Sequence, residues 1–143
     1  MIILDSNVIS EVWRPLPNLS VLDWLDAQDK AALYLCTPVL AELHFGAQLL
    51  PAGRRKEALS ALIRQLEDDG YRDRILSFDI EAAAAFGRIA AKRQQVGRRM
   101  EPMDAMIAAI ALSQGMSLAT RDIDGFSGLD LDLINPFVAS HDR

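Results

Sequence analysis

The chain has 143 residues, 50% of them hydrophobic, and a formal net charge of −5. That length suits one domain with a sizeable core, and the acidic balance excludes a general electrostatic grip on nucleic acid, though not a local basic rim around an acidic site. The single cysteine, Cys36, excludes an internal disulfide. No apolar run nears the ~18 residues needed to span a bilayer, and Asp5 follows Met1-Ile2-Ile3-Leu4 too soon for a signal peptide. A cytoplasmic protein with no membrane partner is expected.

Ile2-Ile3-Leu4 is short, β-rich and continuously apolar, as in a buried strand of a parallel sheet. Ser6 or Asn7 opens a short helix through Val12, which Pro15 and Pro17 break. Asn18 or Ser20 starts a second helix with Leu19, Leu22, Leu25 and Trp24 inward. Leu33-Tyr34-Leu35-Cys36 reads as the second strand, with Cys36 packed as a small hydrophobe. Thr37-Pro38 then reads as an N-cap and first helical position, for a helix reaching about Leu49. Leu59, Leu62, Ile63 and Leu66 have helical spacing within Arg54 to Asp69. Arg74–Phe78 is the third predicted strand, and Asp79 caps a helix over Ile80–Gln95 that Gly97 stops. Met103–Gln114 is a helix ended by Gly115. Met116–Thr120 and Leu131–Ile134 are the last two strands. Strands alternating with helices predict one three-layer α/β/α domain over 1–143, with a mainly parallel sheet of about five short strands and a frayed tail over 138–143.

Four acids sit at the edges of apolar segments. Asp5 and Asp122 each follow a predicted strand, Glu42 lies inside Pro38-Val39-Leu40-Ala41-Glu42-Leu43, and Asp104 opens Ala105-Met106-Ile107-Ala108-Ala109-Ile110. In an open α/β sheet, ligands bind beyond the carboxyl ends of the strands. The Glu42 side chain leans back toward its helix N-terminus, and Asp104 occupies a first turn that favours a carboxylate. Four acids from distant segments can therefore meet at one edge, where a hard divalent cation is the cheapest neutraliser. Such an ion activates water and stabilises charge on a phosphate oxygen. His44 and His141 lack zinc-ligand spacing. Taken singly each acid has a structural explanation, such as a cap, a dipole partner, a turn residue or a surface glutamate. The joint pattern carries the reading.

Asp5-Ser6-Asn7-Val8-Ile9, Ala41-Glu42-Leu43, Met103-Asp104-Ala105-Met106-Ile107-Ala108-Ala109 and Ala119-Thr120-Arg121-Asp122 resemble the four signature segments of the PIN domain. The opening Ile-Leu-Asp-Ser-Asn-Val-Ile-Ser-Glu and the ending Ile134-Asn135-Pro136-Phe137 resemble VapC toxins, FitB-like members in particular. The resemblance implies a Mg²⁺- or Mn²⁺-dependent endoribonuclease, the toxin of a type II toxin–antitoxin pair. It implies a metal-binding and catalytic set of Asp5, Glu42, Asp104 and Asp122. Ser6 and Thr120 become hydroxyl neighbours, Asn7 a buttress, and Asp124 a supporting acid. It also implies a homodimer, and an antitoxin of the VapB or FitA type that places a helix in the groove and contacts operator DNA on the toxin's behalf.

Two basic clusters are candidate contacts for an RNA backbone. They are Arg54-Arg55-Lys56 and, better placed before Asp104, Lys92-Arg93 with Arg98-Arg99. Charges on helical faces are commonly just solvated, which is the competing reading for Arg93, Arg98 and Arg99. A haloacid-dehalogenase-like phosphotransferase also begins with an aspartate after its first strand, but it wants a second aspartate where Asn7 stands. A scaffold that binds DNA through its antitoxin, with little free nuclease activity, is the alternative outside enzymology. A DNA-cutting nuclease is a third possibility.

Overall fold

A computed structural model of the chain describes residues 1–139, so residues 140–143 of the expected frayed tail lie outside the described residues. The strands are β1 (Ile2–Leu4), β2 (Leu33–Cys36), β3 (Ile75–Leu76), β4 (Ser117–Ala119) and β5 (Leu133–Ile134). The helices are α1 (Ser6–Val12), α2 (Leu19–Asp26), α3 (Thr37–Gln48), α4 (Arg54–Gln65), α5 (Ile80–Gln95), α6 (Pro102–Gln114) and α7 (Ile123–Phe126). The strands pair in the order β3-β2-β1-β4-β5, every pair parallel.

β1 lies at the centre because it is apolar on both faces, with Ile3 and Leu4 buried. The chain moves outward through β2 to β3, then crosses back past β1 to β4 and β5. Right-handed crossovers therefore put α1–α4 on one face of the sheet and α5–α7 on the other. The direction of winding reverses between β1 and β4, and a crevice opens at their carboxyl ends. α6 is buried almost all round, with Ala105 and Ile107 through Ala111 each at most 1% exposed. Its alanines allow close approach to the neighbouring layers.

Local chemistry sets the helix ends. Asn18 Oδ1 accepts the Ser20 N–H at 2.8 Å and Asp79 Oδ1 accepts the Ala82 N–H at 2.9 Å, the two caps that start α2 and α5. Gly115 ends α6 with φ 65°, a left-handed turn that glycine makes without strain. Several expectations are corrected. Thr37 is already helical, and Cys36 holds the cap position with no side-chain bond, since the β2 backbone runs straight into the turn. On α2, Leu19 is 72% exposed and Val21 is the residue in the core. The helix from Arg54 leaves α geometry at Gln65 and finishes in a wider π turn over Leu66–Gly70. β3 and β5 pair over two residues each, shorter than their apolar runs. The Arg121–Gly125 turn runs into the one-turn helix α7, which ends at Phe126.

Candidate active site

Asp5 leaves β1 with its N–H still on the Ala119 carbonyl at 2.9 Å. The ladder runs one residue past the strand and delivers the side chain to the switch point. The carboxylate is 4% exposed and its oxygens are engaged by neighbours. Oδ1 accepts the Ser6 N–H at 2.8 Å, capping α1. Oδ2 accepts the Thr120 hydroxyl at 2.7 Å and Asn7 Nδ2 at 3.3 Å. Thr120, fully buried, accepts in turn the Asp122 N–H at 3.0 Å. Asn7 Oδ1 accepts the Arg121 N–H at 3.1 Å. Thr120 and Asn7 thus lock the loop after β1 to the loop after β4, across the crevice.

Glu42 stands in the second turn of α3, half-buried, where Oε1 accepts the Ser6 hydroxyl at 3.4 Å. Asp104 lies in the first turn of α6, also half-buried. These acids feel one another. Burial raises Asp5 above the usual carboxylate range, against the lowering bonds from Thr120, Ser6 and Asn7, and the Asp122 charge raises it further. Burial, then the charges of Asp5 and Asp104, raise Glu42. Asp104 is pushed up to about 6 by burial and by Asp5, Asp122 and Glu101. Four acids from four segments meet at one edge of the sheet.

Among the described residues no three His, Cys, Asp or Glu side chains are grouped so as to hold an ion by themselves. One reason is visible in Asp122, which is exposed and turns Oδ1 back to accept the Gly125 N–H at 3.0 Å, capping α7. The donor set still fits a hard cation. It consists of carboxylate and hydroxyl oxygens whose mutual repulsion a divalent ion relieves, and Mg²⁺ is commonly held by one or two carboxylates with waters filling the rest. Asp124 is exposed, and its charge is not among those that shift Asp5, Glu42 or Asp104.

The basic residues divide. Arg93, expected at the surface, is 6% exposed, with its guanidinium turned to the chain's own carbonyls. Its Nε donates to the Arg98 carbonyl at 2.8 Å, and Nη1 to the carbonyls of Gly125 and Ser127 at 3.1 Å each. Its place near the C-terminus of an amphipathic helix gave it the pattern of a solvated charge, and only the fold of α7 around it reveals the clamp. Arg98 is exposed but tethered to the Asp124 carbonyl and the Ser127 hydroxyl at 3.1 and 3.2 Å. Arg99 is exposed. Sequence reasoning also passed over Glu11, 5% exposed on α1, which pairs with Arg14 at 3.2 Å and accepts the Asn18 N–H at 3.2 Å. It ties down the Pro15–Pro17 turn. Beside Glu42 a groove of about 760 Å³ runs between α1, α3 and α4, lined by Ser6, Ser10, Trp13, Leu59 and Arg55 among others.

Known proteins are similar to this chain in sequence and in fold. A family model described as the PIN domain matches residues 2–130. The plasmid stability protein StbB of Pseudomonas syringae pv. tomato is 44% identical over 139 residues, covering 97% of this chain and 100% of that one. VapC ribonuclease Y4jK of Sinorhizobium fredii is 38% identical over 137 residues, covering 96% and 98%. Toxin FitB of Neisseria gonorrhoeae is 37% identical over 137 residues, covering 96% and 99%. In the structure of FitAB bound to an IR36 DNA fragment, one chain matches with a TM-score of 0.92 and 36% identity, covering 100% of both. Motif order, sheet topology and these likenesses agree: the chain belongs to the PIN-domain family, in the branch of the VapC and FitB toxins.

Proposed function

We propose that the chain is a Mg²⁺- or Mn²⁺-dependent endoribonuclease and the toxin of a toxin–antitoxin pair. The observation that supports this best is the convergence of Asp5, Glu42 and Asp104 at the crevice between β1 and β4, each raised first by burial and then by the charge of a neighbouring acid of the cluster. Carboxylates left that way are poised for a cation and for phosphate chemistry. The names of VapC ribonuclease Y4jK and toxin FitB point the same way.

Asp5, Asp104 and Asp122 would hold the ion, directly or through water. When bound, it supplies Lewis acidity toward phosphate oxygens and lowers the pKa of water. The protein's own groups do the rest. Ser6 N–H, Thr120 and Asn7 fix the Asp5 carboxylate before substrate arrives, so little reorganisation is left for the reaction. Glu42, raised by burial and by its neighbours, is a stronger base than a free glutamate. It accepts a proton from the attacking water, and Ser6 orients it. A water nucleophile makes the ribose 2′-hydroxyl unnecessary and leaves a 5′-phosphate.

The groove beside Glu42 suits an amphipathic antitoxin helix, with Trp13 and Leu59 offering apolar contact and Glu42 at its inner end. FitAB on its DNA fragment favours a second reading, in which the complex works on operator DNA and the antitoxin makes the DNA contacts. Among the described residues no helix is long and apolar enough to cross a membrane, and a cytoplasmic homodimer completes the proposal.

The test uses purified, antitoxin-free protein with RNA and MnCl₂. Asp5→Asn and Glu42→Gln should each cut at least about 100-fold more slowly while melting as a folded protein, because losing even supporting contacts to a metal site costs ~10–100-fold. Cleavage by Asp5→Asn at the parental rate would refute the assignment.

A further inference from the structure

The Ile134-Asn135-Pro136-Phe137 segment takes no part in the acid cluster, yet it is firmly built. Asn135 Oδ1 accepts the Phe137 N–H at 3.0 Å, and Pro136 is buried. This turn after β5 packs the Phe137 ring against the core and beneath the guanidinium of Arg121, whose Cζ lies 4.7 Å from the ring centroid. Arg121 stands between Thr120 and Asp122. Its N–H is held by Asn7, the residue that also donates to Asp5. One side chain therefore ties the Arg121 backbone to the acid cluster.

Among the described residues no protein acceptor engages the guanidinium itself. Arg93 and Arg98 donate to carbonyls, whereas Arg121 is exposed and, among the described residues, its side chain enters no hydrogen bond and no ion pair; only its backbone is engaged, the N–H by Asn7 and the carbonyl by the Ile123 N–H. The planar guanidinium is seated over the Phe137 ring on an exposed residue. Unpaired RNA bases stack on such planes.

We propose that Arg121 and Phe137 form a nucleobase platform, taking the base of a nucleotide that flanks the scissile phosphate. This rests on the ribonuclease reading and adds a subsite to it. It requires an unpaired base next to the cut, and it makes the Asn135-Pro136-Phe137 turn part of the substrate surface.

The experiment uses the full chain, a randomised single-stranded RNA pool and MnCl₂, with sequencing of the new 5′ ends and binding of the labelled pool to the Asp5→Asn protein. The parent should show a base preference at one position beside the cut. Arg121→Ala and Arg121→Lys should both lose that preference, with KM raised about tenfold and the pool bound correspondingly more weakly. Lysine keeps the charge but has no plane, so an Arg121→Lys protein that retains preference and KM overturns the platform. So does a preference that survives in Arg121→Ala. Phe137→Leu should match Arg121→Lys. If it fails to fold, the exposed Arg121 variants decide. A parent that neither cuts the pool nor, as Asp5→Asn, binds it sinks the ribonuclease reading and this inference together. A parent that cuts while the Arg121 variants equal it sinks the platform alone.

Discussion

Gly125 is gripped on both sides of its backbone. Its N–H donates to Asp122 Oδ1, and its carbonyl accepts from Arg93. A Cβ at this position would fall 2.2 Å from Asp122 Oδ2, so a side chain there has to push the carboxylate away. Arg93 is thus the far anchor of the loop that carries Asp122, and it holds that loop from a buried position on α5. Burying a guanidinium is tolerable because carbonyls of Arg98, Gly125 and Ser127 surround it. Arg93→Met removes the donors and leaves those carbonyls without them. Bonds to a charged group contribute ~1.5–3 kcal/mol each, and their losses overlap, so a fall of about 3 kcal/mol is expected in chemical denaturation. A variant within experimental error of the parent would show that water replaces the clamp at no cost.

The helices differ in what they ask of their residues. α6 is an element of small side chains, with Ala105, Ala108, Ala109 and Ala111 at most 1% exposed among large ones such as Ile107 and Ile110. There is no room on its inner faces, and Ala108→Leu should cost about 1–3 kcal/mol by overpacking, read as a lowered urea midpoint at unchanged slope. This helix was legible in the sequence because Asp104 opens its apolar run and Gly115 punctuates its end. β1, β2 and α5 were legible for similar reasons: an unbroken apolar run, or Asp79 placed to cap. What stayed hidden depends on neighbours. Leu19 has the right spacing to face inward, but the packing of α2 gives that place to Val21. The lengths of β3 and β5 follow from where their partners stop, which no single run of residues records. At the site, the four acids could be picked out because each interrupts an apolar segment. The Arg93 clamp could not, since its acceptors are backbone carbonyls, those of Gly125 and Ser127 more than thirty residues away, and carbonyls have no letter in the sequence.

Charge at the crevice makes the stability of the whole molecule depend on pH and on metal. An acid raised on folding stabilises the native state while it is protonated. For Asp104 that contribution is complete below the ordinary value of 3.8 and is lost as pH rises through about 6. Asp5 and Glu42 act in the same direction. Metal-free protein should therefore lose part of its melting temperature between about pH 5 and about pH 7.5, and Asp104→Asn should flatten that slope. Mg²⁺ should restore the loss at the higher pH and do little at the lower, where protons compete for the same oxygens. A metal-induced shift independent of pH would contradict the idea that the ion takes the place of protons. Close beneath this acidic edge lies Cys36, 0% exposed at the end of β2, with its thiol pushed up to about 12 by burial. In the closed molecule it has neither access nor thiolate, so an alkylating reagent reaches it only when the core opens. The rate of its modification is then a stopwatch on breathing of the central sheet. Divalent ions or a helix seated in the groove should slow that stopwatch, giving a measure of occupancy that requires no RNA to be cut.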